Sequence, residues 1–576
     1  MNTAIKTDYQ SLLGLGYAPS IYQQRVFDAV AHGTGHVVVD ACAGSGKTTT
    51  SVSACELARG DVLSVAFNRD IARVLGERIT DPRVVVRTAH KHGLATVAFW
   101  CWARMGLNGQ CTVEVDEHET KYRAMFEAAS EIVTARCEAF EDAIARETAG
   151  EPEATRAAMD ALVRESLADM RPTLCGEVLS DDAIAEVKAF GFPVGECVQL
   201  CTLARLFLLD FDADSFDSAL DAIAVRYDVD VSASLWGVVV EAVRNALCRG
   251  CTPPESGAWL VDFTDMVWLP FVCGMRPKQY DWVFVDECQD ISPAARKLMM
   301  ASVKRGGRMM WVGDPCQAIN GFAGADSESF SAIIRETSAR VLPLSVCYRC
   351  PTSHLAIARQ WKPGIQARDG APVGTIRTLE RSDYVEDALR GDLVICRRNA
   401  PLIQLCFELI ASGVSATVRG RADMAKGIVK LATRASKTKA PGSFADRLDA
   451  FEAKESAKLR TRARTAYDAE QAIEALGDRV ECVRVIQRSS GAETVDALTA
   501  AIAKIFSSDE ADVTLSSVHR AKGLEADRVV ILEHDRLMST RARQQWQIEQ
   551  EEHLAYVAYT RAKHDLVLIP APKREK

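Results

Sequence analysis

The stretch VVVDACAGSGKTTTS, residues 37–51, constrains the fold more than any other part of the chain. A β-branched run leaves a core, a turn of small residues follows, and a lysine precedes a row of hydroxyls. Gly44 and Gly46 let the backbone turn tightly and aim its N–H groups inward, and the following helix presents its positive N-terminus. Lys47 can reach the β and γ phosphates of a nucleotide, and Thr48 can offer its hydroxyl to Mg²⁺. Ala43, Ser45 and Thr49 complete the loop. The usual pattern has glycine six positions before the lysine, where this chain has Ala41. A strand, phosphate turn and helix in that order commit the chain to an α/β architecture.

With 576 residues the chain exceeds a single core. Short apolar runs alternate with helical periods through GHVVVDA, VLSVAF and RVVVRTAH, the pattern of a parallel sheet. From about residue 97 long helical periods take over. Strands return at YDWVFVDE and GRMMWVGD, and a second α/β pattern opens near VLPLSVCYR and continues through DLVICRRN. Residues 421–509 turn helical, polar and basic, with KTKAPGS as a linker. Strands recur at DVTLSSVH, DRVVILEH and DLVLIPAP. We therefore expect 1–96 (with the phosphate loop) and 260–342 to form one core around a helical insertion, 97–259. Likewise 343–420 and 510–576 form a second core around a short basic insertion, 421–509.

WVFVDECQD supplies chemistry to match the loop. A buried strand ends at Asp286, suited to a Mg²⁺ contact. Glu287 can take a proton from an attacking water. A third strand end, WVGDPCQAINGFAGAD, places Gln317 where it can sense a γ phosphate, with Phe322 in the glycine-flanked loop beyond. Taken alone, Phe322 reads rather as a core plug under the loop.

Composition sets softer limits. The net charge of −9 argues against coating nucleic acid by bulk charge, but not against a narrow basic channel. Acidic side chains outnumber basic ones 19 to 8 over residues 114–195, read as a solvated helical face. Over 414–464 basic residues lead 13 to 5, read either as a nucleic-acid contact or as a solvated helix pair. The 18 cysteines read as reduced thiols. Cys248 with Cys251, and Cys347 with Cys350, have ligand-like spacing, and a shared metal would need all four together. Cys42, inside the loop, reads as a small structural residue. No signal peptide or membrane span is read, so the expected location is the cytoplasm, with no membrane partner.

These motifs together resemble the superfamily 1 helicases of the UvrD/PcrA/Rep type, in the family's order along the chain. IYQQRVFDAV is similar to the adenine-reading motif and implies Gln23, with Gln24 an adjacent competitor. VAFNRDIA, with Phe67 and Asn68, and RTAHKHG, with Thr88 and His90, resemble the motifs that touch single-stranded DNA. DECQD resembles the acidic box and GDPCQAINGF the coupling motif. CYRCP resembles the opening motif of the second core, implying that Tyr348 stacks on the base and Arg349 reaches the γ phosphate. SVHRAKGLEADRVVI implies Glu525 on the ribose and His519 near DNA. LAYVAYTRAK implies Arg561 as the arginine finger. Asn320, Phe322 and Ala323 depart from the family's coupling motif, which thins the stacking platform.

The resemblance implies two RecA-like P-loop cores with ATP and Mg²⁺ in the cleft between them, and 3′ to 5′ movement on single-stranded DNA and its junctions with duplex. A loading or nuclease partner is compatible with it. A nucleotide-switched DNA-binding module is the competing reading, and an RNA helicase a third; no nuclease cluster is read near the end of the chain.

Overall fold

A computed structural model of the chain describes residues 7–66, 68–105, 111–147, 164, 171–227, 229, 231–254, 257–319, 328–419, 421–438, 441–462, 466–492, 494–505, 511–538 and 545–572. The chain divides into two compact units. One comprises Met1–Val86, Tyr280–Ile291 and Lys304–Lys576; the other comprises Arg87–Gln279 and Ser292–Val303.

The first unit is built on two six-stranded sheets. We number their strands in chain order: β1 Val37–Ala41, β2 Val62–Ala66, β3 Val84–Thr88, β4 Tyr280–Val285, β5 Val303–Gly313, β6 Arg340–Leu344, β7 Thr375–Thr378, β8 Asp392–Cys396, β9 Ala416–Val418, β10 Val513–Ser517, β11 Ala526–Leu532 and β12 Ala562–Ile569. The first sheet runs β6-β1-β5-β4-β2-β3 and the second β7-β12-β11-β8-β10-β9. Every described pairing within them is parallel. Parallel strands covered on both faces need continuous apolar runs, and Val37, Val38 and Val39 of β1 are all buried. Such sheets present their ligand loops at the carboxyl ends of the strands. These are the two RecA-like cores.

The expected boundary between the cores, at 342, falls inside one strand. VLPLSVCYR reads as the opening of the second α/β pattern, and Arg340–Leu344 as a whole pairs with β1 in the first sheet. Its apolar run would suit either sheet; only long-range edge pairing decides between them.

The basic helical stretch is also better ordered than a solvated helix pair. Helices Arg421–Ser436, Phe444–Arg462, Ala466–Ser490 and Val495–Ile505 bury Ile428, Leu448, Phe451, Val480, Val483 and Ile486 in one core with Val513 and Leu515 of β10. Of its described cations, Lys430, Arg434, Lys437 and Lys454 are exposed, and Arg434 pairs locally with Glu455 at 3.1 Å.

The second unit is mostly helical. Helices Ala89–Met105, Thr120–Glu147, Val194–Leu206, Trp236–Cys251 and Phe263–Val272 contribute to a core that includes Phe126, Val133, Leu200, Val239, Val243 and Trp268. It also holds small sheets that helical periodicity did not announce: Cys111–Val115 pairs parallel with Gly257–Val261, and Thr173–Leu174 pairs antiparallel with Glu177–Val178. Arg205 is buried here against Asp262 at 2.8 Å and Asp265 at 2.7 Å, while Lys121 also reaches Asp265. Paired and hydrogen-bonded in this way, the charges tolerate burial.

Candidate active site

The loop after β1 enters helix Lys47–Leu57 through Gly46, whose φ of 76° is the left-handed conformation that glycine adopts without cost. No side chain caps that helix, so its first N–H groups remain for an anion. The Ser45 hydroxyl is buried without a protein partner. A free helix N-terminus and an orphaned hydroxyl in a glycine turn fit phosphate oxygens.

Strand β4 delivers the acidic pair to the same place. The Thr48 hydroxyl donates to Asp286 Oδ2 at 3.3 Å, and Lys47 Nζ lies 3.5 Å from Glu287 Oε1. Glu287 has a φ of 51°, a strained setting for a residue other than glycine and one that clusters at active sites. Gln289 holds it, donating to Glu287 Oε2 at 2.6 Å. Burial, with the Glu287 charge beside it, pushes the Asp286 carboxyl up from its ordinary value. Burial opposes the Glu287 charge too, but the ammonium groups of Lys47 and Lys522 outweigh it and hold that carboxyl down. Lys47 is likewise kept protonated, against burial, by Glu287, Asp314 and Asp286. A cation would find the Thr48 hydroxyl and the Asp286 carboxylate here. Among the described residues no three His, Cys, Asp or Glu side chains converge as a metal site, so Mg²⁺ would take its remaining oxygens from the nucleotide.

The second core meets this loop directly. A cleft of about 440 Å³ is lined from one side by Gly44 and Gly46 and from the other by Tyr348, Arg349, Glu525 and Lys563, with Arg368 and His564 at its wall. The Tyr348 amide donates to the Gly44 carbonyl at 2.8 Å. A Cβ on Gly44 would stand 2.7 Å from Arg349 Cβ, so only glycine permits this approach. Arg349 forks onto Glu525 at 2.6 Å, and Lys563 holds the other Glu525 oxygen at 3.0 Å.

The coupling segment, with Gln317 and the 3-10 turn Pro315–Gln317, is gripped from both cores. Gln317 Nε2 donates to Asp314 at 2.8 Å, while its carbonyl accepts from Lys522 at 2.6 Å. Lys522 also pairs with Asp290. Tyr556 joins two elements of the first core: its hydroxyl accepts from the Ala43 amide at 2.9 Å and donates to Asp314 at 3.2 Å. Tyr556, Asp314, Gln289, Lys522, Lys362 and Lys563 were not singled out by sequence reasoning. All but Lys362 lie inside or beside the quoted motifs, yet nothing local distinguishes a tyrosine that bridges two cores from one that fills a core.

Comparison with protein families decides the assignment. A model of the AAA domain matches residues 23–323, more than half of the chain, and a model of the UvrD-like helicase C-terminal domain matches residues 375–573. The chain belongs to the UvrD-like superfamily 1 helicases. Such domains indicate ATP-dependent helicase and hydrolase activity acting on DNA. No curated protein matches the chain. No helix among the described residues of this helicase is long and apolar enough to cross a membrane.

The remaining sequence candidates sit in the helicase as follows. Arg561 is 1% exposed, and its guanidinium donates to Val557 O, Leu524 O and Thr560 Oγ1 rather than lining the cleft. Gln23 is buried: it closes a capping box with Ser20 and donates to Thr50 at 3.1 Å. Its competitor Gln24 donates to the Pro19 carbonyl. Thr49 accepts from Arg78 at 3.1 Å. Asn68 caps helix Arg69–Arg78 through the Ile71 amide. His519 is partly buried and its pKa is depressed to about 4 by burial and the Arg397 charge, so it is neutral near pH 7. In the second unit, Thr88 accepts from the Lys91 amide and His90 packs edge-on against Phe263. Phe67, Asn320, Phe322 and Ala323 lie outside the described residues. Cys251 donates to the Cys248 carbonyl, and no metal site joins that pair to Cys347 and Cys350 among the described residues.

Proposed function

We propose that this helicase is a motor that uses ATP hydrolysis to move along single-stranded DNA, 3′ to 5′, and to open its junctions with duplex in repair, recombination or replication. The observation that carries the reading is the contact of Lys47 with Glu287 and of Thr48 with Asp286 at a phosphate loop whose Gly44 and Gly46 face Arg349 and Glu525 across one cleft. Lys47 and Arg349 would neutralise developing charge on the γ phosphate from opposite sides. Thr48 and Asp286 would hold Mg²⁺, which would supply charge neutralisation for the phosphates when bound. Glu287 would take the proton of the attacking water, after the nucleotide has displaced its pairing with Lys47. Gln23 would read adenine and Glu525 the ribose. Gln317 would report the γ phosphate through the segment that Lys522 and Tyr556 hold. Arg561 would turn from its internal partners into the cleft as the cores close, so that hydrolysis and closure are one event.

Phe67, Asn68, Thr88, His90, Phe322 and His519 would form the DNA track, with aromatic rings stacking on bases. The core built on β1–β6 and the core built on β7–β12 would be the moving bodies. The insertions 97–259 and 421–509 would shape duplex contact and docking of a loading or nuclease partner, in the cytoplasm.

The experiment is steady-state ATP hydrolysis with and without single-stranded DNA, with Glu287→Gln as control, followed by 3′- and 5′-tailed duplexes. Strong stimulation that the variant lacks supports the motor. Hydrolysis indifferent to DNA sinks it. Stimulated hydrolysis without strand separation favours the DNA-bound switch module instead. Arg561→Ala should lower turnover roughly 10³-fold; a variant with full ATPase removes Arg561 from the mechanism.

A further inference from the structure

The motif that carries Arg349 is bracketed by two buried cysteines. Cys347 is 0% exposed at the end of the short strand Val346–Cys347, and Cys350 is 2% exposed. The Cys350 amide donates to Cys347 Sγ at 3.4 Å. The Cys350 thiol lies between two acceptors, the Cys347 sulfur and the Thr560 carbonyl at 3.4 Å. That carbonyl also accepts from Arg349 Nη1 at 3.2 Å, and the Thr560 hydroxyl accepts from Arg561. The two thiols are thus joined through one residue to both candidate phosphate arginines. On the other side, Cys347 Sγ lies 3.0 Å from where a Cβ on Gly44 would stand, directly behind the phosphate loop.

Buried thiols are ordinarily inert, and burial pushes Cys42 and Cys396 up. Cys347 differs. The Cys350 thiol, the amides of Cys350 and Arg349, and the Arg349 charge favour its thiolate, and among the described cysteines with a resolved shift it alone is held below its ordinary value. Its neighbours Tyr348 and Arg349 line the cleft, which admits a molecule the size of peroxide.

We propose that Cys347 and Cys350 are an oxidisable dithiol, and that a disulfide between them silences the helicase by drawing Arg349 out of the cleft. The Cys347 thiolate attacks one oxygen of hydrogen peroxide. The O–O bond breaks, the other oxygen leaves as hydroxide and is protonated to water, and Cys347 becomes a sulfenic acid. The Cys350 sulfur, losing its proton, attacks that sulfur and expels the hydroxyl as a second water. Two thiols lose two electrons and two protons, and one peroxide is reduced to two waters. The bridge removes the Cys350 S–H from Thr560 and tightens the turn that carries Arg349. The disulfide stands on the geometry of the pair alone; its effect on hydrolysis rests on the role proposed for Arg349.

The test treats the full-length chain with hydrogen peroxide, blocks free thiols, and maps peptides by mass, with ATPase measured in parallel. The expected result is a Cys347–Cys350 bridge, ATPase reduced at least tenfold, and recovery with dithiothreitol. Cys350→Ser, whose hydroxyl can still donate to Thr560, should keep its ATPase after peroxide. A bound nucleotide analogue should slow bridging in the native chain. Free Cys347 and Cys350 after peroxide overturn the proposal, as does a Cys42–Cys347 bridge or a correct bridge with undiminished ATPase. Because bridging is read by mass, it is decided even if the reduced chain proves not to hydrolyse ATP, an outcome that removes the proposed motor and the silencing effect together.

Discussion

At the scale of single residues, the candidate site is held by buried polar contacts that each satisfy more than one element. Tyr556 is fully buried and its hydroxyl serves both the Ala43 amide and Asp314. Tyr556→Phe leaves a buried N–H unpaired and should destabilise the fold by about 1–3 kcal/mol, read from urea unfolding; an unchanged midpoint means that water replaces the hydroxyl. In the helical unit, His92 Nε2 meets Ser302 Oγ at 2.9 Å, and Ser302 donates onward to Leu298 O, so His92 is the donor. Burial, with Arg87 and Lys278, depresses its pKa to about 4 from an unfolded value near 6.5. Between those values the unfolded state binds the extra proton, so stability rises with pH across that window and levels off above it. His92→Gln should flatten that slope, by about 1.4 kcal/mol for each unit of depression removed. The loop glycines, lysine and acidic pair were legible in the sequence because their chemistry requires those residue types at fixed offsets. Tyr556 and Lys522 were not, because their partners lie hundreds of residues away.

At the scale of elements, most strands of both sheets announced themselves, because a strand buried on both faces needs an unbroken apolar run. Arg340–Leu344 announced its conformation but not its sheet. The helices from Arg421 to Ile505 looked polar and basic in sequence, yet one face of them completes the core over β10. Mean charge conceals such a face, since a solvated helix with one apolar stripe has the composition of a helix that packs nowhere. Leu448 is fully buried there. Leu448→Ala should cost about 2–5 kcal/mol in chemical denaturation; a cost below about 0.5 kcal/mol means that these helices do not share a core with the sheet.

At the scale of the whole molecule, the two sheets meet across the phosphate loop, with Arg349 against Gly44 and Lys522 on the coupling segment. Ligand binding and stability are therefore linked. A non-hydrolysable ATP analogue with Mg²⁺ at about 100 times its Kd should stabilise the chain by about 2.7 kcal/mol. Lys47→Ala should abolish the gain. A gain that persists in the variant moves the nucleotide to another site.

The sequence by itself determined the parallel α/β cores, the phosphate loop, the acidic pair and the order of the motifs, since periodicity and chemical spacing are local properties. Only the tertiary structure decided which sheet takes Arg340–Leu344 and that the basic helices are packed rather than solvated. It also decided that Lys47 rests on Glu287, that Arg349 rests on Glu525, and that Arg561 is turned inward. Those outcomes depend on which distant groups compete for the same hydrogen bonds and the same buried surface, and no short stretch of chain contains its competitors.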